Sequence, residues 1–247
     1  MLSVIIPVLN EAPIIHDVLE ELTQKISDKY RVEIILVDGG SIDGTVGIIS
    51  NFIKNNVNPK QATFTIQLIT SAKGRAKQMN FGAKHANSNV LYFLHADTSP
   101  PKQFDKYIMS KITQGTQAGC FRMKFNSNHW WLKLAGWCTR FNWKICRGGD
   151  QSLFISKALF NEIGGYNEDY IIYEDNIMID EIYKRKKFVV LPQKVTTSAR
   201  LYKQKGILNL QYHFWAIHAK KRLGADSKAL YNYYSKNIKG MDGNYSV

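Results

Sequence analysis

The sequence predicts an α/β fold, a Rossmann-like and mainly parallel sheet flanked by helices. Short apolar, β-branched runs recur at residues 2–7, 32–37, 63–70 and 90–95. Segments with apolar residues at helical spacing lie between them, and that alternation is the pattern of stacked βαβ units. The runs stop on polar residues and turn formers, at the carboxyl ends of the strands, where open α/β sheets collect their ligands.

In order along the chain, the first strand is followed by Asn10-Glu11-Ala12-Pro13, which opens a helix. Ile14, Ile15, Val18, Leu19, Leu22 and Ile26 share one face of that helix and so predict its burial. The second strand ends on Asp38, and Asp43-Gly44-Thr45 turns the chain and caps a helix running to about residue 55. A polar loop at 56–61 leads to the third strand, and a third helix covers 73–85. Val90-Leu91-Tyr92-Phe93-Leu94 has no polar break, as in a strand buried on both faces. Carried on to His95, such a strand points His95 and Asp97 the same way, because side chains alternate. Beyond Pro101 the pattern gives a helix, an alternating strand at 118–125 and an aromatic, basic helix within 129–146. A strand at 152–155, a helix opened by Glu174-Asp175, short strands at 188–192 and 195–199 and an amphipathic helix at 207–223 complete it. Residues 224–247 read as a polar tail, and no internal repeat or low-complexity segment occurs.

Composition narrows the class. The chain has 247 residues, 45% of them hydrophobic and 21% charged, as in a globular protein with a sizeable core. No apolar run approaches the ~20 residues that cross a bilayer, and no charged-then-apolar leader is read. The three cysteines are odd in number and lack CxxC spacing, which points to reduced thiols in the cytosol. Charge is unevenly placed. From Lys184 onward 14 Lys or Arg face only Asp226 and Asp242, so +12 of the net +13 lies there. Such a third suits an anionic partner, a nucleotide diphosphate or an anionic membrane surface; no helix-turn-helix, zinc finger or RNA-binding motif accompanies it, so nucleic acid is not expected. A solvated basic face gives the same composition.

Strand ends carry the candidate chemistry. Asp38 and Asp97 terminate apolar strands at one sheet edge, and an imidazole and a carboxylate at His95 and Asp97 suit a divalent cation, Mn2+ or Mg2+, that in turn holds a phosphate. Capping of the next helix by Asp97 is the plain alternative. Lys73-Gly74-Arg75-Ala76-Lys77-Gln78-Met79-Asn80 crowds cations into the first turns of a helix, unfavourable against the macrodipole unless an anion binds there. Arg147-Gly148-Gly149-Asp150-Gln151 is a loop able to approach a ligand closely. Glu174-Asp175 at a helix start serves the dipole, and equally supplies a general base. Trp130, Trp131, Trp137 and Trp143, interleaved with Lys133, Arg140 and Lys144, suit core packing, an acceptor lid, or a peripheral membrane contact over 130–145 helped by the basic C-terminal third.

These motifs together resemble family 2 glycosyltransferases. Val4-Ile5-Ile6-Pro7-Val8-Leu9-Asn10-Glu11 is similar to their opening, and residues 37–45 to their nucleotide-binding turn. His95-Ala96-Asp97 stands where they carry a DxD metal motif, with His95 in place of the first Asp, and Glu174-Asp175 where they carry an acidic base motif. The resemblance runs from residue 1 to about 206, in the family's order. It implies a GT-A fold over a single domain, 1–223, with a nucleotide-sugar-binding half at 1–100 and an acceptor-binding half at 101–223. It implies a nucleotide-diphosphate sugar donor (a UDP-sugar favoured), a divalent cation, and inversion at the anomeric carbon. By position, Pro7, Glu11, Asp38, Arg75, Asn80, His95, Ala96, Asp97 and Arg200 would serve the donor, with Asp97 and His95 at the metal. Asp150, Gln151 and Glu174 would face the acceptor, a small-molecule or lipid hydroxyl, and Asp175 would be the base. The Gln-x-x-Arg-Trp motif and membrane spans of processive synthases are absent, so a single, non-processive transfer is expected. The expected location is the cytoplasm, including the inner face of the membrane.

At finer grain, residues 73–80, 93–98, 149–151 and 197–200 resemble a small bacterial subgroup described as arsenosugar-biosynthesis glycosyltransferases. Two other functions fit the same residues: nucleotidyl transfer on the same fold, and a membrane-associated module that binds nucleotide sugar without turning it over.

Overall fold

A computed structural model describes residues 1–56, 63–148 and 151–239. The polar loop expected beyond Asn56, and Asp150, lie outside the described residues. Within them the alternation folds as expected: β1 (Leu2–Val8), α1 (Ile15–Gln24), β2 (Val32–Asp38), α2 (Thr45–Asn56), β3 (Phe64–Thr70), α3 (Arg75–His85) and β4 (Val90–Phe93). The four strands are parallel in the order β3-β2-β1-β4. Alternation splits their side chains between two cores. Val4, Ile6, Ile34, Leu36 and Tyr92 enter one, and Ile5, Ile35, Val37, Leu91 and Phe93 the other. The helix α3 lies close on the second face because Gly82 allows it: a Cβ there would stand 2.5 Å from Ile5 Cγ2 and 3.0 Å from Val37 Cγ2.

The second half is β5 (Thr98–Ser99), α4 (Phe104–Thr113), β6 (Ala118–Phe125), α5 (Trp130–Cys138), a 3-10 turn (Lys144–Cys146), β7 (Leu153–Ser156), α6 (Lys157–Ile163), α7 (Glu174–Lys184), β8 (Phe188–Thr197), α8 (Arg200–Lys205), α9 (Ile207–Arg222) and α10 (Ser227–Asn237). The sheet continues as β4-β7-β6-β8-β5. There β7 is antiparallel to β4 and β6, β8 is parallel to β6, and β5 is antiparallel to β8. Among the described residues, six of the eight strands therefore run one way.

This order forces the sheet to curl. Between Phe93 and Thr98 the chain can reach at most about 18 Å, and a turn closed by Thr98 N–H on His95 O, 3.0 Å, shortens it further. Laid flat, β5 would lie about 19 Å from β4. The far edge is thus drawn back toward the end of β4.

Several expectations change. The fourth strand stops at Phe93 rather than His95, so His95 and Asp97 do not share a strand face: His95 is half-buried and Asp97 exposed. The aromatic helix is short, giving way after Cys138 to a loop and the 3-10 turn. The two short strands after Phe188 are one strand, β8, interrupted where Phe121 pairs with Leu191 but Arg122 with Lys194. Pro192, which has no N–H for the ladder, sits in that bulge. The expected tail instead forms α10, started by Asp226, whose Oδ1 accepts from Ala229 N–H at 2.7 Å. Leu230 and Ile238 bury against Leu210 and Ile217 of α9.

Candidate active site

A groove of about 2220 Å³ follows the carboxyl ends of β1 and β4 and is walled on the other side by α5, α7, α8 and α9. Pro7, Glu11, Arg75, His95, Ala96, Asp97, Gln151, Glu174, Asp175 and Arg200 all line it. Residues from segments scattered over the chain thus meet at one place.

Its wall beside β1 is stitched by short polar loops. Glu11 N–H donates to Thr45 Oγ1 at 2.9 Å and Ala12 N–H to Asp43 Oδ2 at 3.0 Å, fixing the loop after β1 against the turn after β2. Asp43 therefore ties two loops together as well as bonding Thr45 N–H at 3.1 Å. Burial pushes the Glu11 carboxyl up, and Asp97 and Asp43 add to this against the pull of Arg200 and Arg75. Three carboxylates and two guanidiniums therefore share one electrostatic neighbourhood.

Asp97 does not cap the next helix: α4 begins at Phe104 after Gln103, with no side-chain cap. Its carboxylate accepts one long bond from Thr98 Oγ1, 3.4 Å, and stays exposed in the groove.

The opposite wall includes α7. Tyr173, in the left-handed region at φ 74°, turns the chain so that Glu174 and Asp175 occupy the first turn, favoured there by the helix dipole. Glu174 is 2% exposed and bonds Arg75 Nη1 at 3.2 Å, while Arg75 is 51% exposed. Burial raises the Glu174 carboxyl above its ordinary range, with Asp175 adding to the push and Arg75 opposing it. Asp175 lies 3.5 Å from His95 Nε2. Burial pushes its carboxyl up too, but His95 and then Arg75 pull harder, leaving it below the usual range. One carboxylate of the pair is thus held ionised while its neighbour resists ionisation. His95 accordingly faces Asp175, and its ring and Asp97 do not lie side by side on one strand.

Two expected donor residues are placed elsewhere. Asp38 is buried and does not line the groove; its carboxylate accepts from Gly40 N–H at 2.9 Å and Ser41 N–H at 3.1 Å, holding its own turn. Asn80 is also off the groove. Its Oδ1 accepts from Tyr166 N–H at 2.8 Å, and its Nδ2 donates to Tyr166 O at 2.9 Å and to Glu168 Oε1 at 2.8 Å. Asn80 therefore clamps the loop that leads from α6 to α7. The tyrosine it holds is buried, and its Oη makes no hydrogen bond among the described residues. Together with His95 and Asp175 it lines a cavity of about 10 Å³, near the size of one water.

Sequence reasoning passed over two supports. Gln78 donates from Nε2 to Val8 O at 2.8 Å and Val37 O at 2.7 Å, joining the ends of β1 and β2. Its only signal was an amide on the buried face of α3. Arg147 is buried, with Nη1 on Gln151 Oε1 at 2.8 Å and Nη2 on Thr139 O at 2.6 Å and Phe141 O. It holds the loop from α5 to β7 and, through it, Gln151, whose Nε2 donates to Cys146 O at 2.8 Å. An arginine before two glycines was that signal.

A family model described as glycosyl transferase family 2 matches residues 3–167. The chain belongs to this family. YdaM of Bacillus subtilis, a probable glycosyltransferase, is 25% identical over 203 residues, 73% of this chain and 46% of YdaM. The chain thus spans less than half that relative's length. S. aureus TarS 1-349, solved in complex with UDP, superposes with a TM-score of 0.66 at 18% identity, covering 80% of this chain and 60% of that one. The mannosyltransferase PcManGT from Pyrobaculum calidifontis, solved with GDP-Man and Mn2+, gives 0.64 at 19% identity, over 99% of this chain and 65% of that one. The family 2 chain described here has their fold, GT-A.

Proposed function

We propose that this protein is an inverting, non-processive glycosyltransferase that moves one sugar from a nucleotide-diphosphate donor to a hydroxyl acceptor. The observation that carries this is Asp175, kept ionised by His95 in a groove that also gathers Glu11, Asp97, Arg75 and Arg200. The family 2 match supports the reaction class, and the relatives solved with UDP-GlcNAc and with GDP-Man support a nucleotide sugar, with UDP-sugars the first to test.

In this reading the acceptor oxygen attacks the anomeric carbon as the bond to the diphosphate breaks, its electron pair leaving with the phosphate oxygen. Asp175 takes the hydroxyl proton as that oxygen becomes acidic. Single displacement inverts the centre. Arg75 and Arg200 steady the leaving diphosphate.

A divalent cation fits the donor side. Asp97 offers an exposed carboxylate there, and no cluster of three ligand residues forms around it among the described residues. That suits an ion held by one carboxylate and the donor's own phosphates. Bound so, it would neutralise charge on the departing diphosphate. Cys120, Cys138 and Cys146 are free thiols, which suits a cytoplasmic setting.

Asp175→Asn tests the assignment. It should bind nucleoside diphosphate as the parent does and lose transfer by about 100- to 10,000-fold. Full transfer in that variant would overturn the base. Pyrophosphate release from a nucleoside triphosphate, with no sugar moved, would replace the reaction with nucleotidyl transfer.

A further inference from the structure

All five tryptophans of the chain, Trp130, Trp131, Trp137, Trp143 and Trp215, lie in α5, the loop after it, or α9. A soluble core normally takes such side chains, yet here four of them stand largely in solvent. On α5, Trp130 (64% exposed), Leu134 and Trp137 follow one another at i, i+4 and i+7. On α9, Leu208 (71% exposed), Tyr212 and Trp215 repeat the same spacing. That spacing puts each trio on one helical face. The opposite face of α9 is spent on the interior through Leu210, His213 and Ile217, so its outward stripe is not misplaced core.

The two stripes belong to one surface. Trp131 sits between the helices, its ring edge-on to Trp215 at 5.9 Å and its Nε1 donating to Gln211 Oε1 at 3.3 Å. Leu134 and Trp215 also line the groove, which places its rim on this surface.

The two helices themselves carry charge of one sign. No Asp or Glu occurs between Asp105 and Asp150, or between Glu181 and Asp226, the stretches that hold both helices. Lys133, Arg140, Lys203 and Arg222 are exposed within them, and Arg140 stacks over Trp137 at 4.5 Å. Exposed Trp and Tyr beside Lys and Arg, on helices that carry no acid, is the chemistry of an interface with anionic headgroups, where amphipathic rings sit at the boundary and cations meet phosphates. A second copy of the chain is a poor occupant, since two-fold pairing would bring these cations face to face.

We propose that α5 and α9 form a docking face for an anionic lipid bilayer, with the mouth of the groove held at the membrane surface. This inference is independent of the transfer reaction and is tested without donor or acceptor.

Flotation with phosphatidylcholine vesicles, with and without phosphatidylglycerol, gives the first readout; quenching of tryptophan emission by brominated phosphatidylcholine gives the second and reports on this face alone. The parent should bind vesicles containing phosphatidylglycerol, lose binding as salt rises from about 0.1 M to about 1 M, and be quenched on binding. Trp130→Ser with Leu208→Ser should weaken binding about tenfold or more, with an unchanged melting curve. Ile42→Ser, an exposed position on the turn after β2, should leave binding as it was. No binding to either vesicle, or equal binding by the double variant, would overturn the proposal. So would a dimer seen by light scattering that the double variant abolishes, because the stripes would then cover one another.

Discussion

Asn80→Ala separates two roles that a motif position cannot distinguish. A donor contact would show as weaker nucleotide binding in a protein of parental stability. The structure predicts the reverse. Asn80 makes three hydrogen bonds of 2.8–2.9 Å, two of them to the backbone of Tyr166, across 86 residues of chain. Each is worth about 0.5–1.5 kcal/mol net. The bond to exposed Glu168 falls at the low end, so the loss totals about 2–3 kcal/mol. At 2–4 °C per kcal/mol for a chain of this size, the melting temperature should drop by about 4–12 °C. Asn80→Asp should do worse, since its carboxylate keeps the bond from Tyr166 N–H but faces Tyr166 O and Glu168 with no donor. Thermal melts of the two variants, beside nucleotide-binding isotherms measured well below the melt, supply the assay. An unshifted melt with lost nucleotide affinity would refute the clamp and restore Asn80 to the donor.

Glu174→Gln addresses the buried carboxyl. Its value is raised above the ordinary 4.5 mainly by burial. A carboxyl raised in the folded state contributes stability that is full below pH ~4.5 and lost as pH climbs through the folded value. The variant should flatten that fall in a melting-temperature profile; a curve that still follows the parent would exclude Glu174 as its source. Asp97→Ala should abolish any extra stabilisation that Mn2+ gives to a nucleoside-diphosphate complex. At about 100 times the dissociation constant that complex is worth about 2.7 kcal/mol, and a shift that survives the variant would remove Asp97 from the metal. Gly119→Ala should destabilise by about 1–3 kcal/mol, because its Cβ would lie against the Val189 carbonyl and 2.7 Å from Phe154 Cζ. An unchanged melt would mean that β6 and β8 shift apart freely.

The parallel half was legible because each of its strands is a local run with its own stop signal. Positions at those stops were therefore found, while the partners of their atoms were not. Asp38 was read as a polar group at a strand end and Asn80 as a donor contact, yet nothing local reveals that the carboxylate turns onto its own loop or that the amide meets Tyr166. His95 followed from the same limit: the strand's apolar run gives no sign that its ladder ends at Phe93, and that end decides whether the ring faces Asp97 or Asp175. The second half was harder. The order β7-β6-β8-β5 is set by pairings between distant segments, such as Gly119 with Phe154, and α10 draws its place from a few apolar contacts in a polar stretch.

The strand β7 is the seam of the molecule. Four residues long, it is the strand that, among the described residues, hydrogen-bonds the parallel piece β3-β2-β1-β4 to the piece made of β6, β8 and β5. Its side chains are shared between the cores, Phe154 on one face and Leu153 and Ile155 on the other. A slip of one residue would exchange the faces and leave both cores wrongly filled. The loop held by Arg147 runs straight into this strand. A single inserted or deleted residue there would therefore not be absorbed at the surface, as in most loops; it would be transmitted as a misregistration between the wall that carries Asp97 and the half that carries Asp175.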